Sequence, residues 1–492
     1  MYTALTHTAY FAIVALLICL VPEGFVGQHA SQANTIFILG FLGTWRYTWA
    51  GTNFVRAVYF RLFAYPRLKA KAFARFKAHK RPAHAYFLVT TFMVKPEDTI
   101  KCYRALFLAA SRARDGATIV ASVVDGADER LVNEIWSSCP EDLRRVQLII
   151  DRIKSNGKRD ALAKTLHIIG YFAPGPDDIL VFVDGDTCVP EDVVAQSAPI
   201  FSDPTVGALT TDEGVILEDD NLFRDWFILR FNQRQVMMCS TGLARRVLTL
   251  TGRMSVFRAE LATRKDFIEQ VANDYLDHWR LGTVKFLTGD DKSTWYWLLK
   301  NGYKMDYLPD VRSLSMETQP EKSFYRSSKT LMTRWFGNMM RTNGRALNLN
   351  PAKIGFFTWW SILDQRVSMW TTLVGPISVM LTAWFIDTTI IPLYIAWVMM
   401  TRYIFCLIIN VFRGGWFPVT HPPILYFGQV AGAIVKTYVL FRLDKQRWTR
   451  QGAGTVKINL EFAKRLPAIE ATVYQTIAFL WLTIGVVILM QI

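Results

Sequence analysis

Apolar residues gather at the two ends of this chain, and the stretch between them alternates short apolar runs with polar, helix-like segments. This distribution limits the fold more than any single motif does. The ends need a non-aqueous surrounding, and the middle can build its own core. Hydrophobic residues make up 51% of the 492 residues, a high share for a wholly soluble protein. Residues 8–22 form a short apolar segment ending at Pro22. Residues 1–7 contain no Lys or Arg, so the segment reads as a first membrane span rather than a signal peptide. Residues 35–62 read as a second span. After it come Arg61, Arg67, Lys69, Lys71, Arg75, Lys77, Lys80 and Arg81 with no acid among them, which marks the cytoplasmic side of a membrane.

Apolar character returns after residue 345. Residues 367–386 and 390–411 predict a hairpin of two spans broken by Asp387 and Pro392, and residues 471–491 a final span. Residues 422–441 are about span length, but they open with Pro422-Pro423 and contain Lys436. Residues 442–466 are rich in cations and belong on the cytoplasmic side. That parity favours an interfacial helix over 422–441 and about five spans in all. The expected division is a transmembrane hairpin with a basic linker over 1–81, a cytosolic catalytic domain over 82–345, and interfacial and transmembrane helices over 346–492.

In the middle, 85–90, 118–124, 147–150 and 180–183 read as strands. Helical stretches fall near 98–113, 128–138 and 159–172. Alternation at this spacing predicts βαβ units, a parallel-rich sheet and an α/β domain. The most informative stretch is Leu180–Thr187 (LVFVDGDT). Four apolar residues run into Asp184 and Asp186 at a strand's C-terminal edge, where open α/β sheets bind ligands. Two hard oxygen ligands there can hold a divalent cation against a diphosphate, although Asp-Gly-Asp is also a common turn.

Other candidates follow the same order along the chain. Asp125 ends the second strand, as a ligand to a nucleoside or as a turn cap. Lys158, Arg159 and Asp160 open a helix after Gly157, the two cations placed for phosphate or simply solvated. Asp290-Asp291 begins another helix. One of the two could act as a general base, or the pair could merely cap the helix. Arg334-Trp335 lies on a helix before the second membrane region. It could serve a leaving diphosphate and a sugar ring, or act as an interfacial anchor.

The net charge is +15. No zinc-finger spacing, RNA-binding signature or basic DNA-reading helix accompanies it, so nucleic acid is not the expected partner. Membrane orientation and an acidic substrate explain the charge better. The six cysteines form no Cys-x-x-Cys pair, which suggests neither a zinc site nor a disulfide framework.

The ordered set Asp125, Lys158, Asp184-x-Asp186, Asp290-Asp291 and Arg334-Trp335, lying between membrane segments, resembles the processive membrane-integrated family 2 glycosyltransferases. These include the cellulose, hyaluronan and alginate synthases. Arg246–Ala259, Asp274–Ser293, Asp364–Trp370 and Phe441–Gln451 look most like the mannuronan (alginate) synthase catalytic subunits. The family's usual Gln-x-x-Arg-Trp has Leu331 at the Gln position here.

The resemblance implies a GT-A domain set between transmembrane helices, and a processive, inverting synthase. Such an enzyme would draw on GDP-mannuronic acid, build β-1,4-linked polymannuronate and translocate it across the bacterial inner membrane. Asp125 would hold the nucleotide and Lys158 would approach its phosphates. Asp184 and Asp186 would bind a Mg²⁺ or Mn²⁺ with the diphosphate, Asp186 more directly. Asp291, beside Asp290, would be the base. Arg334 would face the diphosphate and Trp335 the acceptor sugar, while Trp448, Thr449 and Arg450 would form a gating loop. Arg253 and Lys292 are the candidates for the donor's carboxylate.

Arg46, Arg366, Arg402 and Lys436 lie in or beside apolar runs. A charge at that depth normally faces a cavity or a partner, and Asp364 is one candidate partner. Left unpaired along a tunnel, such cations would suit a polyanionic chain. The chain lacks the usual cyclic-di-GMP receptor signature, so a separate receptor subunit and an envelope export complex are the expected partners. The competing readings are a synthase using a UDP-sugar, a non-processive lipid-linked sugar transferase, and a membrane scaffold or transporter.

Overall fold

The computed structural model describes residues 2–25, 33–79, 83–154, 156–446 and 461–490. Its centre is an eight-stranded sheet in the order β3-β2-β1-β4-β7-β6-β10-β5. The strands are β1 (Ala85–Thr90), β2 (Ala117–Val123), β3 (Val146–Arg152), β4 (Ile179–Asp184), β5 (Thr187–Cys188), β6 (Val206–Ile216), β7 (Met254–Arg258) and β10 (Lys304–Met316). A separate hairpin joins β8 (Tyr275–His278) to β9 (Gly282–Lys285). Strands β1 to β4 pair in parallel, as do β6 and β10, and β7 runs antiparallel between β4 and β6. The expected parallel-rich sheet flanked by helices is present.

The first strands follow from their residues. Every residue of β2 is buried, as are all but the last of β1 and of β4, as continuous apolar runs covered on both faces require. Helices α4 (Pro96–Ser111), α5 (Gly126–Ser137) and α6 (Lys158–Gly170) carry the crossovers, and Leu106, Phe107, Leu162 and Leu166 join the strands in one core. From β1 the chain winds outward to β2 and β3, then returns to place β4 on the other side of β1. That reversal opens a crevice at the C-terminal ends of β1 and β4.

The chain begins with α1 (Tyr2–Cys19), α2 (Ala33–Tyr59) and α3 (Tyr65–His79). Beyond the first crossovers, α7 (Leu222–Gly242), α8 (Asp290–Lys300) and α9 (Phe324–Ala346) lead to α10 (Phe356–Phe385), α11 (Ile390–Arg413), α12 (His421–Leu440) and α13 (Glu461–Met490). Among the described residues four helices are long and apolar enough to cross a membrane: α10, α11, α12 and the Ala468–Met490 part of α13. The expected interfacial helix is the departure. Residues 421–440 reach span length and hydropathy, and α12 packs along α9, α10 and α11. Its two prolines stand in the first turn, where they cost no helical hydrogen bond. The apolar part of α1, Ala4–Cys19, is shorter than these four.

One apolar cluster unites the two regions. Phe223, Trp226 and Phe227 of α7 and Leu331 and Met340 of α9 pack with Leu373 of α10, Cys406 of α11 and Leu425 of α12. Inside the joint, Asn232 donates to Asn410 across 2.9 Å. Arg413, the last residue of α11, donates to the Glu213 carbonyl at 2.7 Å and lies 3.3 Å from Asp212.

Candidate active site

At the crevice the backbone of β4 is pressed against β1. Gly185 N donates to Thr90 O at 2.9 Å. A Cβ on Gly185 would lie 2.5 Å from Thr91 Oγ1 and 2.9 Å from Thr90 O. Only glycine fits between the two acids, and the close approach projects Asp184 and Asp186 from one tight turn. Asp184 N donates to Arg253 O at 2.9 Å, and Asp186 O accepts from Met316 N at 2.8 Å. The turn is thereby tied to both neighbouring segments.

Lys158 is the first residue of α6, after Gly157 at φ +104°. A cation is poorly placed at a helix N-terminus by the dipole alone. Its carboxylates compensate, with Asp184 2.7 Å and Asp290 3.2 Å from Nζ. Burial works to lower the Lys158 ammonium, but these carboxylates outweigh it and hold it above the ordinary lysine range. Burial also pushes the Asp184 carboxyl up, to about 7. Lys158 opposes this shift, while Asp186 and Asp290 add to it. One ammonium thus serves several carboxylates.

Asp290 and Asp291 open α8 after Gly289, whose φ is +83°. A Cβ on Gly289 would lie 2.8 Å from Asn338 Cγ. Burial first, and Asp290 second, raise the Asp291 carboxyl above its usual range, against Lys292 and Lys158. The turn before α8 is anchored by Arg159, which the sequence offered beside Lys158 as a cation for phosphate, and by Ser293, Asp274 and Arg345, which carried no expectation of their own. Arg159 donates to Thr288 O at 3.1 Å and Ser293 Oγ at 2.8 Å. Ser293 Oγ donates to Asp274, which Arg345 grips at 2.6 and 2.9 Å.

A cavity of about 700 Å³ gathers Lys158, Asp184, Asp186, Asp290, Asp291, Arg253, Arg334 and Trp335. Arg334, Asn338 and Arg341 line it from one face of α9. The cue available in the sequence was their spacing of four and three residues beside the Arg-Trp pair. Leu331, at the position where the family pattern has Gln, also lines the cavity. Trp335 stacks on Trp226 with centroids 5.7 Å apart and planes at 15°. Asp125 is exposed and caps α5 by accepting from Ala127 N at 3.0 Å. It directly follows Val124, which lines the cavity.

Some expected residues are placed otherwise. Lys292 points inward, with Nζ 2.5 Å from Leu248 O and 3.4 Å from Asn343 Oδ1. One residue along a helix turns the side chain about 100° away from Asp291. Arg253 does line the cavity, but it is committed to Glu317 at 2.5 Å and Glu213 at 3.4 Å. Of the four membrane cations offered as facing either a tunnel or a partner, three have partners among the described residues. Arg46 pairs with Asp364 at 2.5 Å and donates to Thr371 Oγ1. Arg366 donates to Met340 O at 3.0 Å, and Arg402 to Gln429 Oε1 at 2.9 Å. Trp448, Thr449 and Arg450 lie outside the described residues.

Two chemical functions are therefore concentrated at the ends of β1 and β4: an acidic pair held beside an ammonium, and a buried acid at a helix start. The sequence profile of "Glycosyltransferase like family 2" matches residues 82–338, which spans the sheet and most of the cavity. The chain is a family 2 glycosyltransferase. A glycosyltransferase alg8 of Pseudomonas syringae pv. tomato is 41% identical over 424 residues, covering 86% of this chain and 85% of that protein. The glycosyltransferase alg8 of Azotobacter vinelandii is 39% identical over 455 residues, covering 92% and 90% respectively. Among solved structures, a mannosyltransferase of Pyrobaculum calidifontis in complex with GDP-Man and Mn²⁺ is 17% identical, with a TM-score of 0.45. It covers 78% of this chain and 98% of that one. This family 2 glycosyltransferase is a membrane protein, with its GT-A sheet followed by the four long apolar helices.

Proposed function

We propose that this glycosyltransferase is a processive, inverting synthase. It joins mannuronic acid from GDP-mannuronic acid into β-1,4-linked polymannuronate, the precursor of alginate, and moves the chain across the bacterial inner membrane. One observation carries the reading: a single cavity holds Asp184, Asp186, Lys158, Asp291, Arg334 and Trp335 together, on a domain that shares its apolar packing with membrane-length helices. The mannuronan synthase resemblance and the two alg8 relatives support the choice of donor.

In this reading Asp291 takes the proton from the acceptor hydroxyl as that oxygen attacks the anomeric carbon. Its burial suits a base working nearer neutral pH. Attack opposite the leaving group inverts the centre, so an α-linked donor gives a β-linkage. Lys158 and Arg334 face the departing diphosphate, Asp125 faces the nucleoside, and Trp335 offers a ring to the acceptor sugar. The acidic pair fits a divalent cation, Mg²⁺ or Mn²⁺. Two carboxylates completed by phosphate oxygens and water are an ordinary ligand set for such an ion, and Asp186 adds its charge to the burial that raises Asp184. When bound, the ion neutralises charge on the diphosphate.

The test is polymer formation in membrane vesicles carrying the chain and its co-encoded subunits. Labelled GDP-mannuronic acid, UDP-glucose and UDP-glucuronate are supplied in parallel, with an Asp291→Asn control. Polymer from GDP-mannuronic acid alone, lost in the control, supports the reading. Polymer from a UDP-sugar overturns the donor, and addition of a single sugar to lipid overturns processivity. Control by cyclic-di-GMP is assigned to a separate receptor subunit, and passage beyond the membrane to an envelope export complex. Tight binding of the dinucleotide by the purified chain would refute the first assignment.

A further inference from the structure

Most of the enclosed arginines among the described residues meet a carboxylate or a carbonyl. Arg345 has Asp274, Arg413 has Asp212 and Arg366 has Met340 O. Arg230 of α7 and Lys436 of α12 differ. Among the described residues neither has an ion pair or a hydrogen bond, and both lie against aromatic rings; the one carboxylate that acts on Lys436, Asp364, is paired with Arg46 at 2.5 Å. The Arg230 guanidinium carbon lies 4.6 Å from the Trp335 ring centre, 5.2 Å from Trp226 and 5.9 Å from Phe336. Lys436 Nζ lies 4.9 Å from the same Phe336 ring.

These distances fix where Arg230 sits. With Trp226 and Trp335 5.7 Å apart, the three groups form a nearly equilateral triangle. A guanidinium on the opposite face of Trp335 would be much farther from Trp226. Arg230 therefore lies on the Trp226 side of Trp335, against the ring. Phe336 is the next residue of α9, and Lys436 reaches it from α12, a helix long enough to cross a membrane. Of the four, Trp335 lines the cavity, Arg230 and Phe336 stand behind it, and Lys436 belongs to α12.

We propose that Arg230 and Lys436 form a carboxylate-binding subsite for the growing polymer just beyond Trp335, selecting a chain that carries one acid per sugar over a neutral chain. This rests on the polyuronate reading above. The chemistry is complementary: an aromatic ring meets the apolar face of any sugar and cannot read a carboxylate, whereas a cation held against the ring can. A partly buried cation without a counter-charge is costly, and an incoming carboxylate removes that cost. Burial holds the Arg230 guanidinium below the usual arginine range, still charged near neutral pH.

The test uses the full chain in detergent or vesicles, with a fluorescent oligomannuronate and a neutral β-1,4-mannan oligosaccharide of the same length as probes. Arg230→Gln and Lys436→Gln should each weaken oligomannuronate binding about tenfold, leave the neutral probe unchanged and flatten the salt dependence. Arg230→Lys should recover part of the loss. In vesicles the Gln variants should make shorter polymer at unchanged donor KM. Equal weakening of both probes would reduce Arg230 to a structural partner of the tryptophans and overturn the proposal. Unchanged oligomannuronate affinity in both variants, with the native chain still polymerising mannuronate, would overturn it while leaving the function intact. Native protein that binds no oligomannuronate and polymerises a neutral sugar would overturn the function itself, and this subsite with it.

Discussion

Lys158 Nζ stands 2.7 Å from Asp184 Oδ1, joining the start of α6 to the end of β4. The pair is mostly enclosed, so removing one partner leaves the other charge without its neutraliser. Lys158→Met should lower stability by about 3 kcal/mol, read as a fall in the melting temperature of the detergent-solubilised protein. The double variant Lys158→Met/Asp184→Asn should regain much of that stability and none of the polymer synthesis. A double-mutant cycle showing simple additivity would mean that the two groups do not interact.

Activity and stability should move in opposite directions as pH changes. As the proposed base, Asp291 must be ionised, and burial raises its carboxyl. The acid limb of kcat/KM should therefore lie above the ordinary aspartate value of about 4. Asp184 is raised from 3.8 to about 7 on folding. Its favourable share of stability is present below 3.8 and is lost as pH rises toward about 7. The native protein should melt at a higher temperature near pH 5 than near pH 8, by an amount that Asp184→Asn reduces. An acid limb centred near pH 4 would remove Asp291 as the base.

Gly185→Ala should assemble but fail. The added methyl meets Thr91 and Thr90, and the backbone must move to relieve the contact. A cost of about 1–3 kcal/mol is expected, with loss of most polymer synthesis because Asp184 and Asp186 move apart. Native-like activity in this variant would show that the turn is not needed in this form.

Chelation should abolish polymer formation, and Mg²⁺ or Mn²⁺ should restore it. Asp186→Asn should raise the ion concentration needed for half-maximal activity by about tenfold or more, at little cost in melting temperature. Full activity after exhaustive chelation would exclude the ion from the reaction.

How much of this was legible in the sequence depended on how apolar each strand is. Leu180–Val183 could be read because its core face and its acids are adjacent in sequence. Strand β6 escaped because it runs through Thr210, Thr211, Asp212 and Glu213, all buried. Those charges are met by Arg234, Arg253, Arg312 and Arg413, brought in from other elements. A polar core strand with remote counter-charges has no local signature. Likewise β10 carries Arg312 and Ser313 within thirteen residues of strand.

At the site, each acid singled out from the sequence other than Asp125 lines the cavity, because strand ends and helix starts are locally encoded. The cations were harder. Lys292 follows Asp291 directly yet faces the interior. Arg230 drew no notice, although Trp226 stands one helical turn before it, a spacing that puts both on one face. Pairing in the membrane helices was legible only for Asp364, the one acid near Arg46.

The apolar cluster shared by α7, α9 and the membrane helices has a consequence for how the enzyme must be handled. Cutting near residue 345 would expose the aromatic surface behind Trp335 to water, and the fragment would be sticky. The bilayer also becomes an input to the chemistry. Because α12 leans on the helix that carries Trp335, lipids that thin or thicken the membrane should, on the proposed reading, press on a wall of the acceptor site and change the rate of chain growth.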